Sequence, residues 1–162
     1  MGKNRIKVVL AVVSLLLLCS CQSTTGYYRG AVADPQTVLS LASSDVAKHW
    51  SDLYADVTYT INREGEQLDV EGEFKFAGFP QTMMARVRDF KLKFFLLDQH
   101  NRVLDYSDIA WITGTQLNRK IAFSHSFSVP DGAVAASFGY EGMFGDEEGS
   151  GEWAEQLPRK SL

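Results

Sequence analysis

From residue 55 the chain alternates. Val57, Tyr59 and Ile61 are interleaved with Thr58 and Thr60, the period of two that a half-buried strand shows because successive side chains point to opposite faces. After a turn over 62–65, Leu68, Val70, Phe74 and Phe76 alternate with Asp69, Glu71, Glu73 and Lys75, so the two stretches predict a hairpin. Gly72 takes an inward place there, a mark of a bulge or of close backbone packing. Ala77-Gly78-Phe79-Pro80 breaks the pattern. Phe90, Leu92, Phe94 and Leu96 then face one way and Asp89, Lys91 and Lys93 the other. Phe95 and Leu97 make the far end apolar on both faces, which predicts a strand that is central or covered there.

The pattern continues after a polar turn at Asp98-Gln99-His100-Asn101. A less regular strand covers Val103 to Ile112, and Ile121, Phe123, Phe127 and Val129 mark another inward face. Pro130-Asp131-Gly132 is a sharp turn, and Val134, Ala136, Phe138 and Tyr140 close the set. Six or seven strands at this spacing predict a mainly β protein, an antiparallel immunoglobulin-like β-sandwich over 34–144, with an open barrel as the alternative. One or two short helices are expected to precede the strands across 35–54. Asp34-Pro35 is a helix start, and Val46, Trp50, Leu53 and Tyr54 fall at helical spacing. An edge strand at Val38 to Leu41 is the alternative. Residues 145–162, Gly-rich and acidic, predict a flexible tail.

Upstream lies a different hydrophobic pattern. Lys3, Arg5 and Lys7 precede eleven residues, Val8 to Leu18, of almost unbroken hydrophobicity. A positive start and a short apolar run are the anatomy of an export signal; a membrane span needs about 20 residues. The run closes on Leu18-Cys19-Ser20-Cys21, which resembles the lipobox of bacterial prolipoproteins. That resemblance implies cleavage between Ser20 and Cys21, removal of 1–20 as a signal peptide, and acylation of the Cys21 thiol. Residues 21–33 then become a lipidated tether, and the membrane a partner through the lipid on Cys21. Gln22 stands where an Asp is the usual inner-membrane retention signal of Gram-negative lipoproteins. The resemblance therefore implies an outer-membrane anchor facing the periplasm in such an organism.

Composition narrows the rest. Cleavage before Cys21 leaves 142 of the 162 residues, with thirteen Lys and Arg against twenty Asp and Glu, a charge of −7. That is one domain's length, and its acidity argues against nucleic acid as a partner, since phosphate contacts need cations. The chain has two cysteines, one in the leader and one acylated, so the mature module is expected to fold without a disulfide.

A second resemblance covers residues 90–133. Phe94-Phe95-Leu96-Leu97-Asp98, a polar turn and Val103-Leu104 are similar to the FxLYD-type segment of small bacterial extracytoplasmic domains, with Leu97 in place of the motif tyrosine. Phe127 to Ala133 resembles the strand–turn that follows. The likeness implies a sandwich fold and no enzymatic role.

Catalytic chemistry finds little support. His49, His100 and His125 are the three histidines. His125, on an apolar strand face, is the one a catalytic constellation would use, but no nucleophile signature accompanies it. No cofactor or metal is expected: no histidine pair has ligand spacing, Asp69, Glu71 and Glu73 read as a solvated strand face, and Asp146, Glu147 and Glu148 depart from calcium-loop spacing. Arg86, Arg88, Lys91 and Lys93 read as balancing neighbouring acids, with a face toward anionic lipid or glycan as the alternative. Phe79, Met83 and Met84, apolar at a chain break, are the candidate contact for an envelope protein partner. The expected function is a non-catalytic accessory or binding module of the cell envelope. The alternatives are a lipoprotein that binds a small apolar or glycan ligand and, more distantly, an envelope enzyme.

Overall fold

The computed structural model describes residues 26–115, 117–146, 148 and 150–160. The expected leader 1–20, the cleavage position Ser20 and the acylation site Cys21 lie outside the described residues. Among the described residues, nine strands form two antiparallel sheets. In chain order they are β1 (Val38–Ser40), β2 (Ser44–Ser51), β3 (Ala55–Glu64), β4 (Gln67–Phe76), β5 (Arg86–Leu97), β6 (Val103–Gly114), β7 (Ile121–Ser128), β8 (Ala135–Gly145) and β9 (Gly151–Gln156). A short helix, α1 (Gly78–Met83), joins β4 to β5. One sheet runs β2-β3-β4-β7 and the other β1-β8-β5-β6, with β9 also on β8. Because β5 occupies one edge of β8 along its length, β1 and β9 share the other edge, at residues 135–137 and 140–145 respectively.

The alternation read from the sequence is seen in β3, β4, β5 and β8, except that Val134, expected to face inward, precedes β8 and is 56% exposed. The inward residues of β3, β4, β5 and β8 are buried, among them Phe74, Phe76, Phe90, Phe94, Phe138 and Phe144 with no more than 1% exposure. Their rings fill the space between the sheets: Phe94 lies 5.4 Å from Phe127 and Phe74 stacks on Phe90 at 5.2 Å. Burial of one such ring contributes about 1.5–3 kcal/mol, so two of them match the roughly 2–5 kcal/mol a disulfide supplies in a small secreted domain. Gly72 is required by this packing. A Cβ there would sit 2.2 Å from the Thr58 carbonyl oxygen and 2.9 Å from the Phe123 ring. The β3–β4 hairpin pairs Glu64 with Gln67 around Gly65, whose φ of +63° suits the first position of a two-residue loop.

Three expectations are corrected. The helices expected across 35–54 reduce to a 3-10 turn at Pro35–Thr37, capped by the Asp34 carboxylate accepting from the Gln36 N–H at 2.9 Å. Val38–Ser40 is an edge strand, and 44–51 is strand β2 rather than helix. The reason is a register shift between Ser44 and Lys48 against β3, which breaks the period of two and leaves an accidental helical spacing. The tail expected over 145–162 contains β9, drawn into the sheet by the free edge of β8. The tether expected over 21–33 is packed against the sheet at Tyr28, Ala31 and Ala33, the two alanines being 1% and 2% exposed.

Candidate functional site

The site lies on the outer side of the five-stranded sheet, where β5 turns Lys91, Lys93, Phe95 and Leu97 away from the main core. Phe95 and Leu97 are nonetheless fully buried, in a second small core with Ala31, Ala33 and Val103. The chain before β1 covers them. Gly30 donates to the Val103 carbonyl and Val103 donates to that of Ala31, both at 2.8 Å. Val32 and Arg159 exchange backbone hydrogen bonds at 2.8 and 2.9 Å, which brings the C-terminal stretch to the same place. Tyr28 sets its ring edge-on to Phe95 and Tyr106 at 5.6 and 5.0 Å.

Beside this cover sits Lys93, with its side chain only 5% exposed. Its ammonium donates to Asp108 on β6 at 2.6 Å and pairs with Glu141 on β8 at 3.0 Å. It also lies 5.7 Å from the Tyr28 ring centroid, and the Tyr28 hydroxyl donates to Glu141 at 3.2 Å. Burial alone lowers the Lys93 pKa, but the hydrogen bonds from its ammonium to Asp108 and Glu141 outweigh it and hold the pKa above the ordinary lysine value. Burial, and then the charge of Glu141, push the Tyr28 phenol well above the usual tyrosine range. The ammonium is therefore charged and engaged, unlike the desolvated neutral amine a nucleophilic lysine needs. The arrangement is a clamp that fixes the N-terminal segment to the sheet.

A groove of about 1150 Å³ opens over the clamp. Lys91 and Lys93 lie on its floor, and Tyr27, Glu155 and Lys160 among its walls. It mixes aromatic rings with both signs of charge.

The residues singled out from the sequence are spread apart. Of the apolar trio, Met83 at the end of α1 is 63% exposed. Phe79 is half-buried, edge-on to Tyr54 at 5.5 Å, and Met84 is packed on the main core. The trio therefore offers Met83 alone as a fully exposed contact. His49 stands on β2, 2.8 Å from Asp56. His100 is in the β5–β6 turn, whose Asp98 carboxylate accepts from the backbone N–H of His100 and of Arg102 at 2.7 and 2.9 Å. His125 is half-buried on β7 with its ring 4.5 Å from that of Phe127. Asp69 and Glu71 accept from Ser126 and Ser124, and Glu73 from Lys120. Among the described residues no group of three His, Cys, Asp or Glu side chains is placed to hold a metal.

Lys93 balances acids on neighbouring strands, as its charge suggested, but its burial beneath Tyr28 was not read from the sequence. The available signal was parity, since Lys91 and Lys93 share a face with Phe95 and Leu97. A lysine two places from a covered aromatic on the same face lies near whatever covers it. Comparison of the chain with protein-family models, with curated proteins and with solved structures finds no match. The class of protein is thus described by its architecture: a mainly β chain of two antiparallel sheets packed face to face, with its N-terminal segment fastened to one outer face.

Proposed function

We propose that this chain is a lipid-anchored lipoprotein of the cell envelope, acting by binding and not by catalysis as an accessory module that holds or positions another envelope protein. The observation that carries the reading is the basic and apolar leader ending on Leu18-Cys19-Ser20-Cys21. Acyl chains on Cys21 contribute about 0.8 kcal/mol per buried methylene, so two or three make attachment durable. The clamp gives that anchor a mechanical consequence. Five residue steps separate Cys21 from Gly26, a reach of at most about 18 Å, so the folded module is held close to the bilayer. Met83, exposed on α1, is the contact the partner reading favours.

The module is read as immunoglobulin-like. What supports this is connectivity: β4 and β7 are neighbours in one sheet, β5 and β8 in the other, and the chain crosses between sheets from β4 to β5 and from β7 to β8. That interlocked pair corresponds to the B, E, C and F strands of such sandwiches. The outer groove favours a second reading, binding of a small ligand that presents apolar and polar surface together.

Intact mass of the protein extracted from membranes tests the anchor. The expected species begins at Cys21 and carries added acyl mass, and Cys21→Ser is expected to accumulate as an unprocessed, unacylated precursor. A mature chain without lipid, or with residues 1–20 retained, overturns the reading.

A further inference from the structure

Below the clamp, the outer side of the five-stranded sheet carries a row of exposed apolar side chains. Trp111 on β6 is 71% exposed, Met143 on β8 36% and Trp153 on β9 52%. Strand register places them together. Trp111 is opposite Lys91, Lys91 is opposite Glu141, Asp89 is opposite Met143, and Met143 is opposite Trp153. The two indoles thus stand three strand spacings apart, about 14 Å across the sheet. Both are held in orientation. The Trp111 indole donates to Asp89 at 2.6 Å and that of Trp153 to Glu155 at 3.1 Å. Lys91 reaches to 6.0 Å from the Trp111 ring, and Lys160 to 5.7 Å from the ring of Tyr27 at the groove wall.

We infer that this face, centred on Trp111, Met143 and Trp153, seats on the headgroup layer of the bilayer that holds the lipid anchor. The inference rests on the anchored reading of Cys21. Its first support is where the chain arrives. Gly26 and Tyr27 line the groove whose floor includes Lys91, the cross-strand neighbour of Trp111, so the tether of at most about 18 Å leaves from the border of this patch. The second is composition. Indoles, a phenol and lysines with long apolar stems are the side chains that settle at a membrane interface. The third is the contrast with the other sheet: among the described residues, the outer side of β2-β3-β4-β7 presents Asp69, Glu71 and Glu73, whose desolvation opposes seating.

The acids of the patch set the depth. Asp89 and Glu155 are bonded to the indoles, and Asp108 and Glu141 share the single positive charge of Lys93. Carboxylates at this level limit the depth, so that the indoles stop at the boundary between the headgroups and the first acyl carbons. With a mature charge of −7, the module gains nothing from anionic lipid, and a zwitterionic surface is the matching one. The contact need not be strong, because the anchor makes it intramolecular and supplies a high effective concentration.

The test uses the full mature protein in phosphatidylcholine vesicles whose acyl chains carry bromine, a short-range quencher of indole fluorescence. The chain has three tryptophans, and Trp50, 8% exposed between the sheets, is an internal reference. Loss of most emission from the two exposed indoles, with a blue shift, is expected. In the Trp111→Phe/Trp153→Phe double variant the remaining emission is expected to be insensitive to bromine, at an unchanged thermal midpoint. An acylated protein whose emission brominated lipid leaves unchanged overturns the seating while the anchor stands. Emission that responds instead to a soluble β-linked oligosaccharide overturns it too and reassigns the face to glycan. A protein without acyl mass overturns the anchor and the seating together.

Discussion

The outward side of the four-stranded sheet is held by short polar pairs between neighbouring strands: Ser126 donates to Asp69 at 2.6 Å, Lys120 to Glu73 at 2.8 Å, and Asp56 joins His49 and Lys75. Water reaches most of these groups, and the hydrogen bonds from Ser126 and Gln67 hold the Asp69 carboxyl below its usual range. The outward side of the five-stranded sheet is divided instead. Its upper end is covered by residues 28–33, its middle carries the nearly buried Lys93, and its lower end exposes Trp111 and Trp153. Ion pairs of similar length therefore have different weights on the two faces. An ammonium taken out of water needs its partners, whereas an exposed pair competes with water on nearly equal terms.

That contrast is open to being broken. Lys93→Ala has the largest expected effect, a loss of about 3 kcal/mol, near the lower end for breaking a buried pair because Asp108 and Glu141 retain contact with water. Chemical denaturation measures it, and faster proteolysis before residue 33 reports release of the cover. Alkaline pH comes next. The folded-state pKa values of Lys93 and Tyr28 are both raised, so their contribution is fully present below the unfolded values, about 10.4 and 10. It fades as pH rises through the folded ones. Stability is expected to fall above about pH 10 in the parent and more shallowly in Tyr28→Phe/Lys93→Met, compared by thermal midpoint against pH. Tyr28→Phe alone keeps the ring packing and loses one hydrogen bond to a carboxylate, a cost of about 1.5 kcal/mol. At the other end, Lys120→Ala on the polar face is expected to leave the thermal midpoint unchanged. A clear drop there would erase the distinction between the faces.

How much of this was legible beforehand depends on the range of the interaction. The inward sets of β3, β4 and β5, the Asp98 turn and the tight place at Gly72 were all readable. Each is announced by residues within one strand or one turn. Strand β2 was misread because its register shift removes the alternation that identifies a strand, and β9 because its composition is that of a loop. Both are strands only because another strand's edge is free beside them. The candidate contact of Phe79, Met83 and Met84 was legible as apolar residues at a break. Which of them is exposed depended on Tyr54, twenty-five positions before Phe79, covering that ring.

By itself the sequence determined which side of most regular strands faces the core and that Phe rings supply much of that core. These follow from period, composition and short spacing. Only the tertiary structure decided that Lys93 is buried between Asp108 and Glu141, that Tyr28 closes over it, and that Trp111 and Trp153 share one exposed face. Those properties belong to neighbouring strands and to distant segments folded over them. The desolvation that makes Lys93 matter is created by residues far from it in the chain, so no local pattern can carry it.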